Sequence, residues 1–87
     1  MYLHLGQSVV VPCRDILGIF DLDNASWAYK TREFLEKAEA DGRAVWLGED
    51  LPRSFVLVGD GEHPPTVYLS QLSSAALVSR AERNFLE

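Results

Sequence analysis

Cysteine occurs once, at Cys13, so no internal disulfide can form and nothing in the sequence calls for an oxidising compartment. No run approaches the roughly eighteen apolar residues of a membrane span. The opening residues lack a basic leader and alternate apolar with polar at His4 and Gln7, the pattern of a strand and not of a signal peptide. These absences lead to the expectation of a soluble cytoplasmic protein with no membrane partner. Positive charge is also scarce. Eight basic side chains face thirteen acidic ones, a net charge of −5, which weighs against generic nucleic-acid binding but leaves room for a local basic patch. His4, His63 and Cys13 are the only soft metal-ligand candidates, and none stands at a C-x-x-C or H-x-x-x-H spacing, so no metal and no cofactor is expected. No G-x-S-x-G elbow surrounds any serine, and neither histidine has an evident orienting carboxylate. The stretch from Gly59 to Gly61 lacks a dinucleotide fingerprint and runs into Pro64-Pro65 instead of a helix. Glu49 and Asp50 read as solvated loop charge. No nucleophile, base and oxyanion set can be assembled, and the expectation is that the chain is not an enzyme.

What is present is an ordinary globular composition: 87 residues, 47% apolar and 24% charged. That suits one small domain over residues 1–87, with a stability of about 5 to 10 kcal/mol. The segment from Lys30 to Asp41 organises it. Trp27, Thr31, Phe34, Leu35 and Ala38 recur at spacings of three and four and define the buried side of a helix over 30–41. Arg32, Glu33, Glu36, Lys37 and Glu39 form the opposite side, with Arg32/Glu36 and Glu33/Lys37 spaced to pair at i, i+4. Gly42 supplies the positive φ that ends a helix. So short a helix needs a sheet to dock on.

The strands flanking it supply one. Tyr2 to Leu5, with Leu3 and Leu5 on one face, and Ser8 to Val11, closed by Pro12, make a hairpin. Asp15 to Leu22 alternates Ile16, Gly18, Phe20 and Leu22 against Leu17, Ile19 and Asp21, apolar on both faces, the pattern of a strand covered on both sides. Asp21, Asp23, Asn24 and Ser26 offer turn and capping chemistry before the helix. Ala44 to Leu47, Ser54 to Val58 and Thr66 to Leu69 are further strands, with a polar turn over Gly48 to Pro52 and a hairpin loop over Gly59 to Pro65. A second helix is predicted over 73–84, capped by Ser73 or Ser74, with Leu77 and Ala81 inward and Arg80 and Arg83 outward. The fold class is α+β, in βββα-βββα order, a repeat of elements without a matching repeat of residues. Phe85 and Leu86 at the terminus either pack back or meet a neighbour.

Against the net charge, Lys30 and Arg32 stand at the entrance of the central helix, Arg14 at the turn before the third strand and Arg53 at the turn before the fifth. These are ordinary surface charges unless the two turn-borne arginines meet on one rim.

Five ordered runs, Met1 to Gly6, Asp15 to Leu22, Thr31 to Glu36, Leu51 to Val56 and Val67 to Ser70, resemble the RemA/RemB extracellular-matrix regulators of spore-forming Gram-positive bacteria, on the RemB branch. The resemblance spans nearly the whole chain. It implies a small cytoplasmic regulator of biofilm matrix genes. In the RemA branch the implied activity is DNA-binding transcription activation by a ring-shaped homo-oligomer with a LytTR-like sheet. In that branch the turn before the fifth strand carries a cluster of arginines that contacts DNA. Here the corresponding stretch is Glu49-Asp50-Leu51-Pro52-Arg53-Ser54, with one arginine beside two acids. Arg14 lies close to another basic position of that branch. Two expectations follow. One is a ring that binds DNA through Arg53, Arg14, Arg32 and Lys30. The other is an interaction module that binds another regulator, such as a RemA-type paralogue, without contacting DNA. In both, two short helices cover only part of six strands, so apolar surface remains for self-assembly.

Overall fold

Leu3 and Leu5 share one side of a period-two strand, and the chain covers that side first by turning back on itself. The computed structural model describes residues 1–22 and 29–86, with side chains described over 1–22 and 31–83. β1 (Tyr2–Gly6) pairs antiparallel with β2 (Val9–Pro12). Gln7 and Ser8 between them both have positive φ, 48° and 65°, the backbone of a tight hairpin turn whose twist matches its strands. Tyr2 and His4 face out, as their alternation predicts, and Leu3 and Leu5 are fully buried.

The remaining strands form a separate sheet. β3 (Ile16–Asp21), β4 (Ala44–Leu47), β5 (Ser54–Val58) and β6 (Thr66–Ser70) lie in the order β3-β5-β6-β4. The β3–β5 and β5–β6 pairs are antiparallel and β4–β6 is parallel. The six strands and two helices follow the predicted α+β order, but the six strands divide between two sheets. The apparent repeat is one of order only. The first half contributes a free-standing hairpin, whereas in the second half β4 skips β5 and pairs with β6.

α1 (Tyr29–Ala40) covers one face of the four-stranded sheet, where Ala38 packs with Leu22, Phe55, Val67 and Leu69, flanked by the partly buried Phe34 and Leu35. Its end is a Schellman arrangement. Arg43 N–H donates to the Ala38 carbonyl at 2.8 Å and Gly42 N–H to that of Glu39 at 3.1 Å, with Gly42 at φ 76°. Neither Arg32/Glu36 nor Glu33/Lys37 closes into an ion pair among the described residues. Trp27 and the capping residues Asp23, Asn24 and Ser26 lie outside the described residues, and so do the side chains of Phe85 and Leu86.

The β1–β2 hairpin and α2 (Ser74–Leu86) cover the opposite face, burying Leu3, Leu5, Val11, Leu47, Val56 and Leu77 in one cluster. Of the two predicted caps, Ser73 and Ser74, it is Ser73 whose Oγ accepts the Ala76 N–H, at 3.1 Å. Ala81 points inward with Leu77, but Arg80 turns towards β1 and donates to the His4 carbonyl at 3.2 Å. Two buried serines fasten the layers. Ser70 Oγ donates to the Leu5 carbonyl at 2.9 Å, and Ser54 Oγ to that of Leu72 at 2.8 Å.

β3 departs most from its predicted pattern. It is an edge strand, with Leu17 49% and Phe20 43% exposed, and not a strand covered on both sides. The register shifts between Ile16 and Gly18, which makes Leu17 the extra residue of a bulge. Ile16 therefore joins Ile19 on the hairpin side instead of following Phe20 and Leu22. Gly18 marks the spot: a Cβ there would stand 2.6 Å from the Phe20 ring, which folds over it and stacks on Phe55 at 4.8 Å.

Candidate functional site

The four basic candidates do not form one rim. β3 and β5 run antiparallel, with Ile16 opposite Val58 and Asp21 opposite Ser54. Arg14 precedes the first pair and Arg53 flanks the last, so the two arginines sit at opposite ends of the ribbon, roughly 17 Å of strand apart at about 3.4 Å per residue. Arg14 is exposed beside Asp15, its Nε 4.0 Å from the carboxylate. Arg53 has an exposed side chain on a fixed backbone, its N–H donating to Ser70 and its carbonyl accepting from Leu22, both at 2.8 Å. Arg32 is exposed on α1 at the Arg53 end, where it and Pro52 line the same hollow. Lys30 belongs to the first turn of α1, and its side chain is outside the described set. One end of the domain thus carries Arg32 and Arg53, and the other carries Arg14.

The hollow itself was not legible in the sequence. It has a volume of about 360 Å³, between α1 and the turn joining β4 to β5. Leu35, Leu69 and Pro52 form its apolar lining together with Trp46 and Leu51, which are 53% and 88% exposed. Glu36 and Glu39 stand on the same rim as Arg32. The turn predicted as polar therefore carries the most exposed apolar side chain among the described residues. Trp46 stays open because β4 is the other edge of the sheet, a placement that residue alternation cannot report.

A further arginine outside the predicted set is held in place. Arg43 donates from Nη1 to the Pro65 carbonyl at 2.7 Å and from Nη2 to Asp41 at 3.1 Å, tying the end of α1 to the β5–β6 loop. Its side chain is only 18% exposed, so it serves the fold. In that loop His63 does have an orienting carboxylate, contrary to the sequence reading: Nδ1 lies 2.7 Å from Asp60 Oδ2. The three-residue separation inside a turn brings them together, a closeness that no strand or helix period reveals. Asp60 Oδ1 accepts the His63 and Glu62 N–H groups at 3.0 and 2.9 Å. The His63 N–H foremost, then that of Glu62 and the imidazole, lower the Asp60 carboxyl from 3.8 to about 2. Both side chains are exposed, and the arrangement is turn chemistry. Cys13 is a free, half-buried thiol against the hairpin-side core. Among the described residues no group of three or more His, Cys, Asp or Glu side chains is placed to hold a metal, and no helix is long and apolar enough to cross a membrane.

The geometry defines a small α+β domain with a four-stranded sheet open at both edges among the described residues, and its relationship to known proteins is carried by sequence. The chain is 38% identical over 85 residues to Extracellular matrix regulatory protein B of Bacillus subtilis (strain 168), an alignment covering 98% of this chain and 95% of that protein. It belongs to the extracellular matrix regulatory protein B family, the RemB branch of the resemblance above. No family model matches it.

Proposed function

We propose that this chain is a non-enzymatic, cytoplasmic transcription regulator of extracellular-matrix genes that binds DNA as a ring-shaped homo-oligomer. The relative's name supports the regulatory part. Support for the rest comes from the one end of the domain where Arg53 and Arg32 are both exposed. A single copy with net charge −5 offers two widely spaced cationic ends, enough to neutralise one or two phosphates and bind DNA very weakly. Copies repeated along bent DNA raise the effective concentration of each later contact, and avidity then exceeds single-site affinity by about two to four powers of ten. Arg53 and Arg32 are the contacts in this reading. A mobility shift on long duplex DNA across a salt series tests it. Binding should be steep in salt, and Arg53→Glu should abolish it while leaving the particle size unchanged. Wild-type protein that fails to shift DNA at low salt, or an Arg53→Glu variant that binds as well as wild type, defeats the DNA reading.

A second reading is favoured by the rim of the hollow, where Glu36 and Glu39 outnumber Arg32. There the chain is an interaction module for another regulator, a RemA-type paralogue among the candidates. Absence of DNA binding together with retained assembly is the result this reading expects.

A further inference from the structure

β3 and β4 are the outer strands of the four-stranded sheet, no further strand among the described residues pairs with either, and both are apolar. Natural sheets guard their edges with charge, proline or a covering element. Ile16-Leu17-Gly18-Ile19-Phe20 carries no charge before Asp21, and Ala44 to Leu47 carries none at all. Leu17, Phe20 and Trp46 are each about half exposed, at 49, 43 and 53%. The two edges also point the same way. β3 is antiparallel to β5, β5 to β6, and β6 is parallel to β4, so β3 and β4 run in one direction at opposite sides of the sheet. The Arg43 carbonyl accepts from Val67 in β6, so on period two Val45 and Leu47 also face β6, while Ala44 and Trp46 turn their N–H and C=O outward. The Leu22 N–H faces Arg53 next to β5, so Phe20 faces inward with it and Ile19 and Asp21 turn outward.

We propose that a second copy of this chain adds its β3 edge, in parallel, to the β4 edge of the first, so that the neighbour's Phe20 stands over the hollow beside Trp46. This rests on the homo-oligomeric reading above and names its joint. Phe20 lies on the α1 side of the sheet, stacked on Phe55, and Trp46 lines the hollow on that same side. A sheet that continues from copy to copy keeps the α1 sides together and sets the two aromatic rings next to each other. With Phe20 level with Trp46, the neighbour's Arg14 falls beside the α1–β4 turn, where Glu39 and Asp41 are exposed. Its guanidinium, in a side chain 89% exposed in the single copy, then meets opposite charge. The joint is heterologous, each copy using a different edge on either side, so it propagates until it closes.

The test is site-directed cross-linking of the full chain. With Cys13→Ser as background, the Phe20→Cys/Trp46→Cys double variant is oxidised and run without reductant, beside each single variant and with light scattering on the reduced samples. A disulfide needs Cα atoms within about 7 Å. The joint predicts a ladder of covalent multimers from the double variant and none from the single ones. Trp46→Glu, which places a charge at the joint without touching the core, should lower the particle mass to that of the 9.7 kDa subunit with unchanged circular dichroism. An assembled protein that gives no ladder and keeps its mass as Trp46→Glu overturns the joint but leaves the oligomer standing. Covalent dimers from Trp46→Cys alone overturn it in favour of like edges meeting. A monomeric wild type removes the oligomeric reading itself.

Discussion

The two faces of the four-stranded sheet are finished to different degrees. On the hairpin and α2 side, Leu3, Leu5, Val56 and Leu77 are wholly buried, and Ser70 and Ser54 tie the covering layer down by hydrogen bonds to carbonyls. On the α1 side, among the described residues, only Ala38 and Val67 are wholly buried, Phe34 and Leu35 remain part-exposed, and the hollow of about 360 Å³ opens at one end. A domain this small is marginally stable, and the face closed by two elements holds six of the eleven buried apolar side chains among the described residues. Among the described residues the other face is left with an exposed tryptophan and an exposed leucine. The first face holds the fold, and the second leaves apolar side chains exposed.

The largest effect that follows is on the closed face. Leu77→Ala should cost about 3 to 5 kcal/mol, because a fully buried leucine leaves a cavity its neighbours cannot fill. That is a large share of what a domain of this length has. Urea unfolding measures it, and a loss below about 1 kcal/mol would mean that the closed face is not the core. Phe34→Ala is the matching change on the open face. A buried phenylalanine costs roughly 3 to 5 kcal/mol on truncation. Phe34 is only partly covered, so about 2 to 3 kcal/mol is expected. If thermal melts rank Phe34→Ala as worse than Leu77→Ala, the comparison is reversed.

The smallest effect is at the β5–β6 loop, away from both faces. The Asp60 carboxyl is lowered from 3.8 to about 2, so its ionised form is favoured in the folded chain. The resulting stabilisation is present above pH 4 and is lost as pH falls through about 2. Asp60→Asn should speed amide exchange at Glu62 and His63 near neutral pH and lower the melting temperature only slightly, because the carboxylate is exposed. Unaltered exchange at both amides would show that the carboxylate does not order the loop.

The local elements were legible because each is written in adjacent residues. The period of α1, Gly42 at its end, the Ser73 cap of α2, and the opposite faces of Leu3/Leu5 and Tyr2/His4 all follow from spacing alone. What escaped depends on which strand lies beside which. Strand order placed β3 at an edge, although its sequence reads as doubly covered, and set Arg14 and Arg53 at opposite ends of one ribbon. The bulge at Leu17 moved Ile16 to the other face, and Gly18 was the one residue that signalled it. Leu51 in a turn of charged neighbours and Trp46 at a sheet edge make a hollow only because α1 stands over them.

The open face and its two edges are a joint between copies in this account, and the solution mass tests that most directly. Light scattering coupled to size exclusion, on wild-type protein at micromolar concentration, should give one narrow peak at a multiple of the 9.7 kDa subunit mass. A clean monomer under those conditions would contradict it.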